Sequence, residues 1–129
     1  MRSLFIGLLG FLFVPLLHAA PVAPPVRAEI DAVLSALQSS GCKFNRNGSW
    51  YAAAKAKTHL LRKLEYLERN NAVQTTEQFI ELAAARSSSS GKPYLVKCGS
   101  TSPVESKQWL TVQLNAVRSS GRETASGAK

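Results

Sequence analysis

Two cysteines, Cys42 and Cys98, constrain this chain more than any other pair of residues, because the state of their sulfurs decides whether two distant segments must meet. That state depends on compartment. The N-terminus reads MRSLFIGLLGFLFVPLLHAAPVAPP, with one basic residue (Arg2), an apolar run from Leu4 to Leu17 and then small residues, which is the layout of a secretory signal peptide. The run is shorter than the ~20 residues a helix needs to cross a bilayer, and no cysteine follows it to carry a lipid. Cleavage is expected after Ala19 or Ala20, so residues 1–20 read as a leader and the mature chain as a soluble periplasmic or secreted protein. Export places both thiols in an oxidising compartment, and Cys42 and Cys98 are expected to bond to each other. A lone pair so far apart lacks the spacing of a zinc site or a redox C-x-x-C centre. In the chain-entropy model, closing such a loop is worth ~4 kcal/mol, a large share of the net stability of a small domain.

The rest of the 129-residue chain suffices for one domain, read here as residues 27–119 between a Pro-rich leader segment (residues 21–26) and a disordered tail (residues 120–129) that lacks apolar residues. Ile30, Val33, Leu34 and Leu37 recur at helical spacing, with Glu29 and Asp31 in the expected first turn and Gly41 as a stop. Cys42 and Phe44 flank Lys43 as in a short strand, and Asn47-Gly48 is a turn signal. A long helical pattern follows Ser49 to Asn70, with Ala53, Leu60, Leu64 and Leu67 on its core face and Trp50 and Leu61 at the margin. TTEQFIELAAAR announces a third helix capped by Thr75 or Thr76 and ending near Arg86. In YLVKCG, Tyr94, Val96 and Cys98 share one side of a strand that a disulfide would lay beside Cys42. Ser102, Pro103 and Glu105 have the form of a capping box, predicting a fourth helix to about Ser119. The expected fold is therefore mainly α, a small four-helix domain with a short two-stranded β-ribbon closed by one disulfide.

The chemistry-bearing motifs are incomplete. SSSSGKPY (residues 87–94) ends in Gly-Lys like a phosphate-binding loop, yet the first glycine of that motif is missing and Pro93 stands where a magnesium-holding hydroxyl belongs. It also follows a helix and precedes a strand, the reverse of a nucleotide loop, so nucleotide binding is excluded and a helix stop at Gly91 is expected. His59 is the one histidine outside the leader, no G-x-S-x-G elbow occurs, and scattered acids form no metal-ligand set. No catalytic residue, metal or cofactor is assigned. Net charge falls from +8 to +7 when the leader, whose one charged residue is Arg2, is removed, and that sign favours anionic partners. Lys55, His59, Arg62, Tyr66 and Arg69 fall along one face of the second helix, cations interleaved with a ring, which suits an anionic polymer as well as plain solvation. Trp50 and Tyr51 offer a second contact surface or core packing.

Taken in order, CKFNRNGSWY, KTHLLRKLEYL, TTEQFI, SSSSGKPYLVKC and the Trp-Leu of the last helix resemble the YfeK-like family of small bacterial exported proteins of unknown function. The resemblance runs from about Ile30 to Leu114. It implies an envelope location and no particular activity. The matching positions include Phe44, Arg46, Asn47, Gly48, His59, Lys63 and Ser90 to Tyr94, so Arg46, His59, Lys63, Lys92 and Tyr94 join the helical stripe as candidate binding residues. The functional expectation is a non-catalytic binding or interaction module for an anionic envelope component or an envelope protein. The alternatives are a small envelope hydrolase using His59 and a purely structural or stress-related protein.

Overall fold

The computed structural model describes residues 21–127, together with Gly7 and residues 10–13, with side chains as far as Glu123; the remainder of the expected leader and residues 128–129 lie outside the described residues. Asn47 and Gly48 both have positive φ, 52° and 85°. That pair of left-handed residues makes the two-residue turn whose twist matches a β-hairpin, and glycine adopts it without a Cβ penalty. A hairpin turn requires a returning strand. Lys43–Arg46 (β1) accordingly pairs antiparallel with Ser49–Ala52 (β2), placing Phe44 opposite Tyr51 and Arg46 opposite Ser49.

The expected two-stranded ribbon is thus only the centre of a four-stranded antiparallel sheet in the order β2-β1-β3-β4, and the domain is mixed α and β. The expected pairing of the two cysteine-bearing segments is present: Leu95–Lys97 (β3) lies against β1 with Val96 opposite Phe44, and Cys42 is bonded to Cys98. Two strands were absent from the expectation. β2 takes the residues read as the start of the second helix, because the Asn-Gly turn folds Trp50 and Tyr51 back on β1 before helical residues begin. Val104–Glu105 (β4) takes the residues read as a capping box, because the free edge of β3 captures their backbone, Val104 opposite Val96 and Glu105 opposite Leu95.

Four helical segments accompany this sheet among the described residues. Helix α1 (Pro24–Ser39) begins inside the Pro-rich leader segment, since proline is tolerated in a first turn that needs no N–H donor; Glu29 and Asp31 therefore lie beyond that turn. Helix α2 spans Ala53–Arg69. The third helical segment is one α-turn (α3, Thr76–Phe79) that widens into a π-helical stretch, Ile80–Ala84. Thr75 is its cap: it accepts from the Gln78 amide while the Gln78 side chain accepts from the Thr75 amide, a reciprocal capping box. Helix α4 runs from Ser106 to Gly127, into the segment expected as a tail. Ile30, Val33, Leu34, Leu37, Leu60, Leu64, Phe79, Ala83, Ala84 and Leu110 are fully buried, in one core with Phe44, Tyr94 and Val96 of the sheet side. Among the described residues no helix is long and apolar enough to cross a membrane.

Candidate functional site

On α2 the stripe next to the core stripe holds His59 and Lys63, one turn apart, half-buried because Leu60 and Leu64 beside them are fully buried. Tyr94 meets them from the other side. Its ring is buried against Phe44, centroids 5.0 Å apart, and its hydroxyl lies 3.2 Å from His59 Nε2 and 3.2 Å from Lys63 Nζ. Lys63 Nζ also donates to the Arg86 carbonyl at 3.0 Å. An ammonium can only donate, so the Tyr94 hydroxyl accepts from Lys63, and its own O–H is free to donate a hydrogen bond to His59 Nε2. His59 is then neutral, protonated on Nδ1.

Electrostatics agree with that assignment. Burial, and then the positive charges of Arg46, Lys63 and Arg62, push the His59 pKa down to about 4. Burial and Arg46 bring Lys63 down to about 8. Burial raises Tyr94, with Arg46 acting in the opposite sense. Arg46 comes from β1, on the face of the sheet that carries Phe44, and is partly buried. Its side chain has no hydrogen bond or ion pair among the described residues. Beside Lys55 and Arg62 it adds a partly buried positive charge that no carboxylate offsets.

The cleft at this place has a volume of about 130 Å3 and is walled by Phe44, Arg46, Tyr51, Lys55, His59 and Arg62, with Ala56 and Thr58. Lys55 Nζ sits 5.1 Å from the Tyr51 ring centroid, a cation–π contact. No carboxylate lines it. Five acids are engaged elsewhere: Glu29 and Glu77 with Arg118, Glu81 with Arg86 and Lys107, and Asp31 and Glu68 with Arg27. Arg46, Lys55 and Arg62 thus meet in one cleft with no acid lining it.

Of the candidate residues, Arg46, Lys55, His59 and Arg62 meet in the cleft, and Lys63 and Tyr94 join it through His59. Tyr66 lies in an adjoining groove that shares Arg62. Arg69 instead neighbours Glu65 and Glu68, and Lys92 is exposed in the loop after the π-helical segment. That loop has a scaffold role. Gly91 takes φ 72°; Ser90 Oγ donates to Asn47 Oδ1 at 2.5 Å and Asn47 Nδ2 donates to Ser87 Oγ at 3.2 Å, so the serine run clamps the hairpin turn that carries Arg46. Thr58, Leu82 and Ser88 were not anticipated. For the Phe44–Tyr51 wall a signal did exist: a two-residue Asn47-Gly48 turn makes those positions cross-strand partners. His59 Nε2, the base a hydrolase would need, is committed to Tyr94, and no serine hydroxyl is bonded to the ring among the described residues. Nor do any three His, Cys, Asp or Glu among them form a metal-sized cluster.

Fold and site together define a small disulfide-closed α+β domain with a cationic, carboxylate-free cleft between a β-hairpin and a helix. The chain belongs to the family of unknown function DUF5329, which matches residues 24–118. It is similar to the uncharacterized protein YfeK of Salmonella typhimurium, 43% identical over 68 residues, a match covering 52% of this chain and 55% of that protein, so it spans about half the length of that relative. No solved structure matches.

Proposed function

We propose that this protein is a non-catalytic binding module of the cell envelope, exported through its N-terminal leader, whose cleft takes an anionic group of an envelope component. Arg46 carries the reading: a partly buried guanidinium with no partner among the described residues, next to the His59–Tyr94–Lys63 chain. An anion placed there would receive donors from Arg46 and flanking charge from Lys55 and Arg62, while Phe44 and Tyr51 exclude water from one side. Charge-assisted hydrogen bonds of that kind are roughly twice as strong as neutral ones.

A calorimetric titration with butyrate and with inorganic phosphate, at low and high salt, tests this. Saturable binding that weakens with salt and drops at least about tenfold in Arg46→Gln supports it, a loss of ~1.4 kcal/mol. Absence of saturable binding of either anion, or binding indifferent to Arg46, refutes it.

A further inference from the structure

The cleft does not end at Arg62. On the far side of that residue, which lines both, a groove of about 400 Å3 is walled by Lys63, Tyr66, Leu67, Leu82 and Ser88. Tyr66 is 62% and Leu82 47% exposed, two large apolar side chains facing solvent in one place. The π-helical turn buries Ile80, Ala83 and Ala84 and leaves Leu82 outward, in the groove it shares with Tyr66 of α2.

The chemistry of the walls selects among occupants. Apart from Ser88 they are side chains of α2 and the π-helical segment, whose backbone N–H and C=O groups are largely used within the helices. An extended peptide would find no ladder of backbone partners there and would leave its own amides unpaired. A hydrocarbon chain has no such need. Arg62 stands between the two sites, and its aliphatic stem can cover apolar surface while the guanidinium faces the anion. The groove is therefore apolar along its length and cationic at the end that opens to the cleft.

Resting on the anion-binding reading of the cleft, we propose that the ligand is a single-chain amphiphile. Its anionic head sits at Arg46 and His59, and its acyl chain crosses Arg62 to lie against Tyr66, Leu67 and Leu82. Charge complementarity at the head end and continuity through Arg62 are what commit the groove to this occupant rather than to a second copy of the chain or a membrane surface.

The test compares butyrate with dodecanoate, the latter below its micelle concentration, on the purified protein, with dodecyl maltoside as the uncharged control. Dodecanoate should bind about a hundredfold more tightly than butyrate, the gain expected from burying roughly four methylenes. Leu82→Ser, a change at an exposed position, should erase at least about tenfold of that gain while leaving butyrate affinity unchanged. Equal affinity for the two carboxylates, or a chain-length gain that Leu82→Ser leaves intact, overturns the amphiphile while the cleft reading stands. Dodecyl maltoside binding as tightly as dodecanoate overturns it too, as does binding only to anionic vesicles or a concentration-dependent dimer lost in Leu82→Ser. Failure of both carboxylates to bind removes the cleft reading and this inference with it.

Discussion

The Tyr94 hydroxyl organises the site at the level of single residues. It accepts a hydrogen bond from Lys63 and can donate one to His59, so a residue thirty-five positions from His59 bears on which nitrogen of the ring carries hydrogen. The sequence marks all three positions as polar members of recurring motifs, but separation along a chain carries no distance, so their meeting at one oxygen was not legible. The same contacts predict a pH dependence. His59 takes up its proton near pH 4 in the folded protein against 6.5 for an unperturbed ring. The unfolded chain therefore binds more protons between those values, and stability that is fully present above pH 6.5 is lost as pH falls toward 4. Because the ring is partly open to solvent, we expect the loss to be about 1–2 kcal/mol. Glu29 and Glu77, held below 4.5 chiefly by Arg118, retain their contribution above that value and lose it as pH falls further. Urea unfolding of His59→Gln should accordingly be flatter than wild type between pH 6.5 and about 4 and parallel to it below; an unchanged slope in the upper window contradicts the assignment.

At the level of elements, local signals were right where tertiary structure left them alone. The helical periodicity of Ile30 to Leu37 and of Leu60 to Leu64 matches the buried faces of α1 and α2, and Thr75 caps the third helical segment as one of the two readings had it. Two local signals were overridden. The Ser102-Pro103-Glu105 pattern is a sound capping box in isolation, yet Val104 and Glu105 complete the sheet edge on β3 and the helix begins at Ser106. The helical pattern after Ser49 likewise yielded to the hairpin that Asn47-Gly48 dictates. A pair of substitutions separates the true cap from the false one. Thr75→Ala should cost about 1 kcal/mol, the usual value of a lost N-cap hydrogen bond, whereas Ser102→Ala, at an exposed residue with no such bond, should stay within about 0.5 kcal/mol. Denaturant midpoints of the two variants check this. A larger cost at Ser102 would place the helix start where the sequence pattern puts it.

For the whole molecule, one covalent tie and one charge imbalance matter most. The Cys42–Cys98 bond joins the residue before β1 to the residue after β3 and locks the register that sets Phe44 opposite Val96. Replacing both cysteines by serine should lower unfolding stability by ~4 kcal/mol on the loop-entropy account, read as a shift in denaturant midpoint; a shift well under 1 kcal/mol would mean the sheet needs no tether. Composition alone gave the positive excess but not its distribution. In three dimensions Arg27, Arg86, Lys107 and Arg118 pair with acids, whereas Arg46, Lys55 and Arg62 surround one cleft that no carboxylate lines. An anion bound among them would offset the positive charge that, after burial, helps to keep His59 neutral, which ties binding directly to a titration. The most direct measurement is an NMR titration of the His59 ring in the free protein and in saturating butyrate. The account predicts a pKa near 4 that rises on binding, with the rise lost in Arg46→Gln. A ring titrating near 6.5 in the free protein, or one whose pKa ignores butyrate, would contradict it.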